Sequence, residues 1–137
     1  MKEQVFISYS WVDAPVVKSI TEQLRSDGYV PWVDREHLDL NGNLRKQIKE
    51  GICSSDYFLL IYSSESVLQK STWVEFEIET AKNYLAEERI LRLDIDKKKV
   101  IFTGVASNKA FAHSLHNAFA LTLSKISSQT KFEVTSK

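Results

Sequence analysis

The segment YFLLIY at residues 57–62 is the feature that most constrains the fold of this chain. It carries no charge and is apolar at odd and even positions alike, as a strand must be when both faces of its sheet are covered. Such strands lie inside parallel sheets that have helices on each side. We therefore expect an α/β fold with this segment near the centre of the sheet.

Strand patterns also occur on both sides of this segment. VFISY at residues 5–9 and YVPWV at residues 29–33 predict two earlier strands, the second at an edge because Pro31 has no N–H to donate. Shorter apolar runs at residues 90–95 and 100–102 predict two more. Because helical patterns separate the earlier strands, we expect an open parallel sheet of about five strands with helices on both faces.

The helices are predicted from apolar residues that recur at helical spacing. Asp13 and Asn43 stand at the expected start of two of them, where their side chains can cap free backbone N–H groups. The closing helix is expected from Lys109 to about residue 126, and the polar residues 127–137 form a tail or linker. We thus expect one domain, residues 1–126, followed by that tail.

Composition excludes several classes of function. Eighteen basic residues balance eighteen acidic ones, so no net charge draws the chain to nucleic acid or to a membrane surface. The single Cys53, expected to be buried, cannot form an internal disulfide, and His113 and His116 lack a carboxylate at a zinc-binding spacing. No signal peptide or membrane span is evident. These features indicate a cytoplasmic protein without a metal site.

The carboxyl ends of parallel strands predict where a ligand binds. Ser10 and Trp11 follow the first strand, and Asp34 begins the loop of residues 34–42 after the second. This loop has no steady period and is longer than most, as functional loops often are. The helix that opens near Trp73 follows the third strand, so its first turns reach the same edge of the sheet.

Three glutamates occur in the stretch STWVEFEIETA at residues 71–81. A helical wheel predicts that the face packed on the sheet contains Val74, Ile78, Ala81 and Leu85. Glu75 and Glu79 then project into solvent, whereas Glu77 lies on the opposite flank with Trp73 and Tyr84. Partial loss of hydration there suits Glu77 to a developing positive charge. The wheel leaves open the alternative of a structural glutamate paired with a neighbouring cation.

In this order, the motifs resemble the Toll/interleukin-1 receptor (TIR) domain family. The matching stretches are VFISYS, GYVPWVD, the loop that ends at Gly42, SSDYFLLIYS and STWVEFE. The resemblance covers residues 5–93. It implies a flavodoxin-like sheet and self-association, in which the loop of residues 34–42 would contact a neighbouring copy.

The resemblance also implies two functional classes, scaffolds that assemble signalling complexes and enzymes that cleave NAD+. In the enzymes the catalytic glutamate follows a tryptophan in the pattern W-x-x-x-E, which Trp73 and Glu77 match. Ser10, Trp11 and Asp39 match positions near the substrate. From the residues alone, Trp11 can instead pack on the first helix, and Asp39 can instead cap a turn.

The chemistry of NAD+ explains why one carboxylate suffices. Nicotinamide is cationic in NAD+ and leaves as a neutral molecule, so no general acid is needed, unlike ordinary glycoside cleavage. Glu77 would stabilise the ribosyl cation that remains, beside a flat wall formed by Trp73. NAD+ is then a substrate and no cofactor is implied.

Two main hypotheses follow from this resemblance. The first is an NAD+ glycohydrolase or ADP-ribosyl cyclase, activated by self-association in immune or anti-phage signalling, with a linear or cyclic product. The second is a scaffold that assembles through the same loop without catalysis. A third, a host-directed effector that mimics such a scaffold, is not distinguished from it by the residues.

Overall fold

The computed structural model describes residues 3–69, 71–102 and 109–130. The strands are β1 (Gln4–Tyr9), β2 (Val30–Trp32), β3 (Tyr57–Tyr62), β4 (Ile90–Asp94) and β5 (Lys99–Phe102). The helices are α1 (Ala14–Ser26), α2 (Asp34–His37), α3 (Leu44–Cys53), α4 (Ser64–Gln69), α5 (Thr72–Tyr84) and α6 (Lys109–Thr130), and short 3₁₀ turns span Trp11–Asp13 and Glu87–Arg89.

The five strands form one sheet in the order β2-β1-β3-β4-β5. The first four strands are parallel, β3 is central and β2 lies at an edge, which confirms the predicted fold class. β5 instead pairs antiparallel with β4. The turn between them is too short for a parallel crossover, which needs a dozen or more residues. Asp94 stabilises this turn by accepting a 3.0 Å hydrogen bond from the Lys97 N–H.

Helices cover both faces of the sheet, as predicted. On one face α1 and α6 pack through a buried cluster that includes Val17, Ile20, Leu24, Phe111, Leu115 and Phe119. On the other face α3 and α5 pack on a smaller cluster of Phe6, Ile48, Ile52, Phe58 and Ala81. The second face has fewer apolar residues because polar side chains occupy part of it.

Three local predictions about caps and burial have different outcomes. Asn43 caps α3 as predicted, accepting a hydrogen bond from the Lys46 N–H. Asp13 stands at the start of α1 but makes no capping bond, because its carboxylate accepts a 2.8 Å hydrogen bond from Ser63 Oγ instead. Cys53 is exposed rather than buried, since it ends α3 on the solvent side.

The loop of residues 34–42 is more ordered at its start than its sequence indicates, because α2 forms its first turn. The Trp32 indole stacks between Phe6, at a centroid distance of 4.8 Å, and His37, at 5.2 Å. Gly51 of α3 lies so close to this indole that a Cβ atom there would be 2.7 Å from the ring. This packing fixes the point where the loop leaves the sheet.

The last helix extends further than predicted, since α6 continues to Thr130. Residues 131–137 lie outside the described residues, so the division of the chain at residue 126 stays a prediction. In the part that the structure describes, no helix has the length and apolar content needed to cross a bilayer. Among the same residues no acidic, histidine and cysteine side chains cluster as metal ligands, and His113 and His116 are exposed.

Candidate functional site

Glu77 lies in the middle of the buried face of α5. Its side chain is only 2% exposed, whereas Trp73 and Tyr84 are 42% and 54% exposed. The predicted position of Glu77 at the border of the buried face is therefore wrong, although Trp73 one turn before it and Tyr84 two turns after it lie on its side of the helix. Its buried neighbours on α5 are Thr80 and Ala81. The wheel erred because it centred the buried face on Val74 and Ile78, which are only partly buried.

A buried hydroxyl on the sheet binds the Glu77 carboxyl. Ser8 of β1 is fully buried, and its Oγ donates a 2.8 Å hydrogen bond to Glu77 Oε1. Alternation along β1 places Ser8 on the same face as Phe6, towards α3 and α5. The strand thus supplies a polar group where α5 would otherwise meet an apolar surface.

A second carboxyl, that of Asp34, completes this group. Asp34 is the first residue of α2, two positions after β2 ends. Glu77 Oε2 and Asp34 Oδ1 are both buried, and no N–H or hydroxyl of the described residues donates to either. The carboxyls of Asp34 and Glu77 lie close enough for each to affect the pKa of the other. A single proton held between them makes one the donor and the other the acceptor, which satisfies both.

The electrostatics of the pair agree with this geometry. Burial, together with the negative charge of Asp34, raises the pKa of Glu77 to about 9, although the bond from Ser8 opposes the rise. Burial also raises the pKa of Asp34, while contacts with Glu77 and His37 oppose that rise. The pair therefore retains one proton at neutral pH.

Two of the predicted substrate residues lie beside or outside this group. Trp73 lies one helical turn before Glu77, and its indole contacts Phe76 edge-on and the guanidinium of Arg45 at 5.7 Å. Trp11 is 71% exposed in the turn after β1, so the alternative in which it packs on α1 is wrong. Its ring is accessible at the carboxyl edge of the sheet.

Asp39 behaves as its structural alternative predicts. It is exposed, and its Oδ1 accepts a 3.0 Å hydrogen bond from the Asn41 N–H, which caps a turn in the loop. Its backbone N–H and carbonyl both bond to the side chain of Gln47 at the start of α3. In this conformation Asp39 holds the loop and does not reach Glu77.

A cavity of about 510 Å³ opens next to α5 on the same face of the sheet. Its lining includes the apolar side chains of Leu60, Val67, Val74 and Ile78 and the polar side chains of Ser10, Ser66, Ser71, Glu75 and Arg92. Of the predicted substrate residues, this lining contains Ser10. Glu75, which we expected to be only solvated, is exposed at the cavity wall. The cavity therefore offers apolar walls with one cation and one anion.

Sequence reasoning did not identify Ser8 and Asp34 as partners of Glu77. Ser8 interrupts the otherwise apolar VFISY, and a buried hydroxyl in a strand needs a hydrogen-bond partner. Asp34 opens the loop at the predicted ligand edge. Both signals are present in the sequence, but neither names Glu77 as the partner.

Comparison with known proteins gives one family and two curated relatives. The family model of the TIR domain matches residues 5–120. The 2' cyclic ADP-D-ribose synthase BtTIR of Bacteroides thetaiotaomicron is 34% identical over 74 residues, which are 53% of this chain and 25% of that protein. The probable 2' cyclic ADP-D-ribose synthase TcpO of Methanobrevibacter olleyae is 33% identical over 89 residues, 64% of this chain and 26% of that protein. This chain spans about a quarter of the length of these relatives.

Solved structures support the fold alone. A prokaryotic SEFIR domain superposes with a TM-score of 0.55 at 19% identity, covering 79% of this chain and 77% of that one. The TIR domains of the activated Roq1 resistosome, which directly recognises the pathogen effector XopQ, superpose with a TM-score of 0.58 at 14% identity, covering 93% of this chain and 72% of that one.

Proposed function

Because the chain belongs to the TIR domain family, whose model matches residues 5–120, we propose that it cleaves the bond between nicotinamide and ribose in NAD+. One observation carries the proposal: the glutamate of the W-x-x-x-E pattern, Glu77, is held with Ser8 and Asp34 next to the ligand edge of the sheet. The names of the two curated relatives support a cyclic ADP-ribose as product beside the linear one. We place the activity in the cytoplasm, in immune signalling.

In the proposed reaction the carboxylate of Glu77 stabilises the ribosyl cation. Nicotinamide leaves as a neutral molecule, so the bond breaks without a general acid, and the positive charge passes to the ribose. A carboxylate in a site of low dielectric interacts with that charge far more strongly than one in water. Stabilisation by charge, by accepting ribose hydroxyl hydrogen bonds or by transient attachment to the ribose is compatible with this placement.

Substrate cannot touch Glu77 while its side chain is only 2% exposed. We infer that residues 35–42 move to uncover it, whereas Asp34 stays close to the end of β2. Leu38 packs on the same apolar cluster as α5, and Leu40 is 80% exposed nearby in the chain. Contact between Leu40 and a neighbouring copy would favour the open loop, so self-association would activate the enzyme.

The remainder of NAD+ binds along the edge of the sheet in this proposal. Trp11 and Trp73 offer accessible rings for stacking, and Asp39 approaches the substrate once the loop moves. The cavity beside α5 receives a part of the dinucleotide at Ser10, where Arg92 supplies a positive charge for the phosphates.

The direct test is nicotinamide release from NAD+ at high protein concentration, with products separated by chromatography. Glu77→Gln keeps the size of the side chain but removes its charge, so release should fall by about 10²-fold or more. Glu79→Gln, two positions away and exposed, is the matched control for folding and helix content. Equal release by the wild type and Glu77→Gln would remove Glu77 from the reaction.

Assembly is tested with a matched pair of exposed leucines. Leu40→Asp in the loop should lower both self-association and the concentration dependence of NAD+ cleavage. Leu68→Asp on α4, where the side chain is 82% exposed, should lower neither, because that residue lies outside the loop. Light scattering and nicotinamide release on the same samples give both readouts, and equal effects of the two changes would argue against the loop.

The non-catalytic scaffold is kept as the second candidate because Glu77 is buried and its pKa is raised to about 9 in this conformation. It predicts intact NAD+ even in concentrated, self-associated protein, together with loss of association in Leu40→Asp. The experiments above therefore separate the two candidates.

A further inference from the structure

We propose that Asp34 is the second carboxyl of the reaction: it exchanges one proton with Glu77 and receives the proton of the hydroxyl that attacks the ribose. This inference rests on the proposed function and adds a residue to it. The scheme in which Glu77 acts alone explains how nicotinamide leaves. It does not say which group accepts the proton of the attacking hydroxyl.

The burial of both carboxyls is the first observation. Buried carboxylates that serve structure have their oxygens bonded to N–H groups or cations. Asp94 is such a case, because it is buried and its Oδ1 accepts a 3.0 Å hydrogen bond from the Lys97 N–H. Among the described residues, Asp34 Oδ1 and Glu77 Oε2 are buried and receive no such bond, and the two carboxyls act on each other. Two buried carboxyls that act on each other destabilise a fold, so their retention points to use.

The surroundings of the pair are the second observation. Ser8 of β1 donates a hydrogen bond to Glu77. The ring of His37 on α2 opposes the rise in the pKa of Asp34. Arg45 of α3 lies over the rings of Trp73 and Phe76 on α5, at 5.7 and 4.8 Å. In this proposal the pair carries one negative charge and one proton. That proton can sit on either carboxyl without changing the total charge.

The proposed sequence of steps balances protons and charge. When the cationic nicotinamide riboside end binds, the shared proton leaves the pair for solvent, so Glu77 and Asp34 are both charged. The C–N bond breaks, its electron pair leaves with neutral nicotinamide, and Glu77 faces the ribosyl cation. Water, or a hydroxyl of the same NAD+, then forms the new C–O bond, and its proton passes to Asp34, which restores the shared proton of the pair. In sum, NAD+ and water give nicotinamide, ADP-ribose and one proton.

The test compares two nucleophiles that differ in whether they release a proton. Water must lose a proton as it attacks, whereas a pyridine attacks through its ring nitrogen lone pair and loses none. In Asp34→Asn, hydrolysis of NAD+ should fall by about 10²-fold, as expected when a general base is lost, while exchange with added pyridine should fall much less. The pH above which Asp34→Asn cleaves NAD+ should also be lower than for the wild type. The reason is that the charge of Asp34, which raises the pKa of Glu77, is gone.

Three further proteins complete the design. Asp34→Glu should recover part of the hydrolysis, and Asp34→Ser replaces the amide if Asp34→Asn does not fold. Asp27→Asn, an exposed change at the end of α1, controls for loss of one acid and should behave as the wild type. No nicotinamide release by the wild type would overturn the proposed function itself. An active Asp34 variant with the wild-type ratio of hydrolysis to exchange, and an unmoved pH profile, would overturn this inference alone.

Discussion

Ser8 Oγ and Glu77 Oε1 are joined by a 2.8 Å hydrogen bond that ties the middle of the sheet to α5 across 69 residues of sequence. Removal of this bond in Ser8→Ala should raise the pKa of Glu77 further, since the hydroxyl stabilises the charged form. NAD+ cleavage near neutral pH should then fall by about tenfold, the value of one hydrogen bond to a charged group. The rate measured against pH checks this, with the exposed Ser26→Ala as control. An unchanged profile in Ser8→Ala would contradict it.

Stability should depend on pH through the same carboxyl. Glu77 has an ordinary pKa of 4.5 and a pKa of about 9 in the folded protein. The folded state therefore binds a proton that the unfolded state loses, so this contribution is complete below pH 4.5 and is lost as pH rises towards about 9. The slope is up to about 1.4 kcal/mol per pH unit. Urea unfolding of the wild type and Glu77→Gln between pH 5 and 9 measures it. The free energy of unfolding of Glu77→Gln should increase relative to that of the wild type as pH rises. The same pH dependence in both proteins would contradict protonation of Glu77 in the folded state.

Arg92 should affect binding of NAD+ rather than the chemical step. Its guanidinium lines the cavity beside α5, away from the carboxyl pair. Arg92→Gln should raise KM for NAD+ by about tenfold with kcat nearly unchanged, because a phosphate contact stabilises substrate and transition state alike. Lys18→Gln, an exposed cation of α1, is the control. A lower kcat at unchanged KM would exclude this role.

Two glycines offer a matched test of packing under the loop. A Cβ at Gly51 would lie 2.7 Å from the rigid Trp32 ring, whereas one at Gly42 would lie 2.7 Å from the flexible end of Gln47. Gly51→Ala should therefore lower the free energy of unfolding by about 1–3 kcal/mol, and Gly42→Ala by less than about 1 kcal/mol. Thermal unfolding of both variants gives the comparison. Equal losses would mean that the indole moves as freely as the glutamine.

The architecture was predictable because each local pattern agreed with the others. Three patterns indicated the same layered fold. They are the strand β3 with apolar residues on both faces, the edge strand with Pro31, and the apolar stripes of α1 and α6. The antiparallel β5 was not anticipated, since runs of three or four apolar residues carry no direction. Its direction follows from the length of the turn before it.

The candidate site was predictable only in its centre. The resemblance to TIR-domain enzymes selected Glu77 through the W-x-x-x-E pattern, but the wheel ranked Val74 and Ile78 as more buried because they are more apolar. What buries Glu77 is a set of polar partners on β1 and α2, which lie far away in sequence. No periodicity within one helix reports such partners, so Ser8 and Asp34 required the three-dimensional arrangement.

The stacking of His37 on Trp32 makes the loop optically observable. While the two rings are stacked, one face of the indole is shielded from water by the first turn of the loop. Withdrawal of that turn would expose the indole and shift its fluorescence to longer wavelength. In a protein with Trp11 and Trp73 replaced by Phe, the remaining emission would come from Trp32 alone. The wavelength of maximum emission would then report opening of the loop in real time, independently of any product formed.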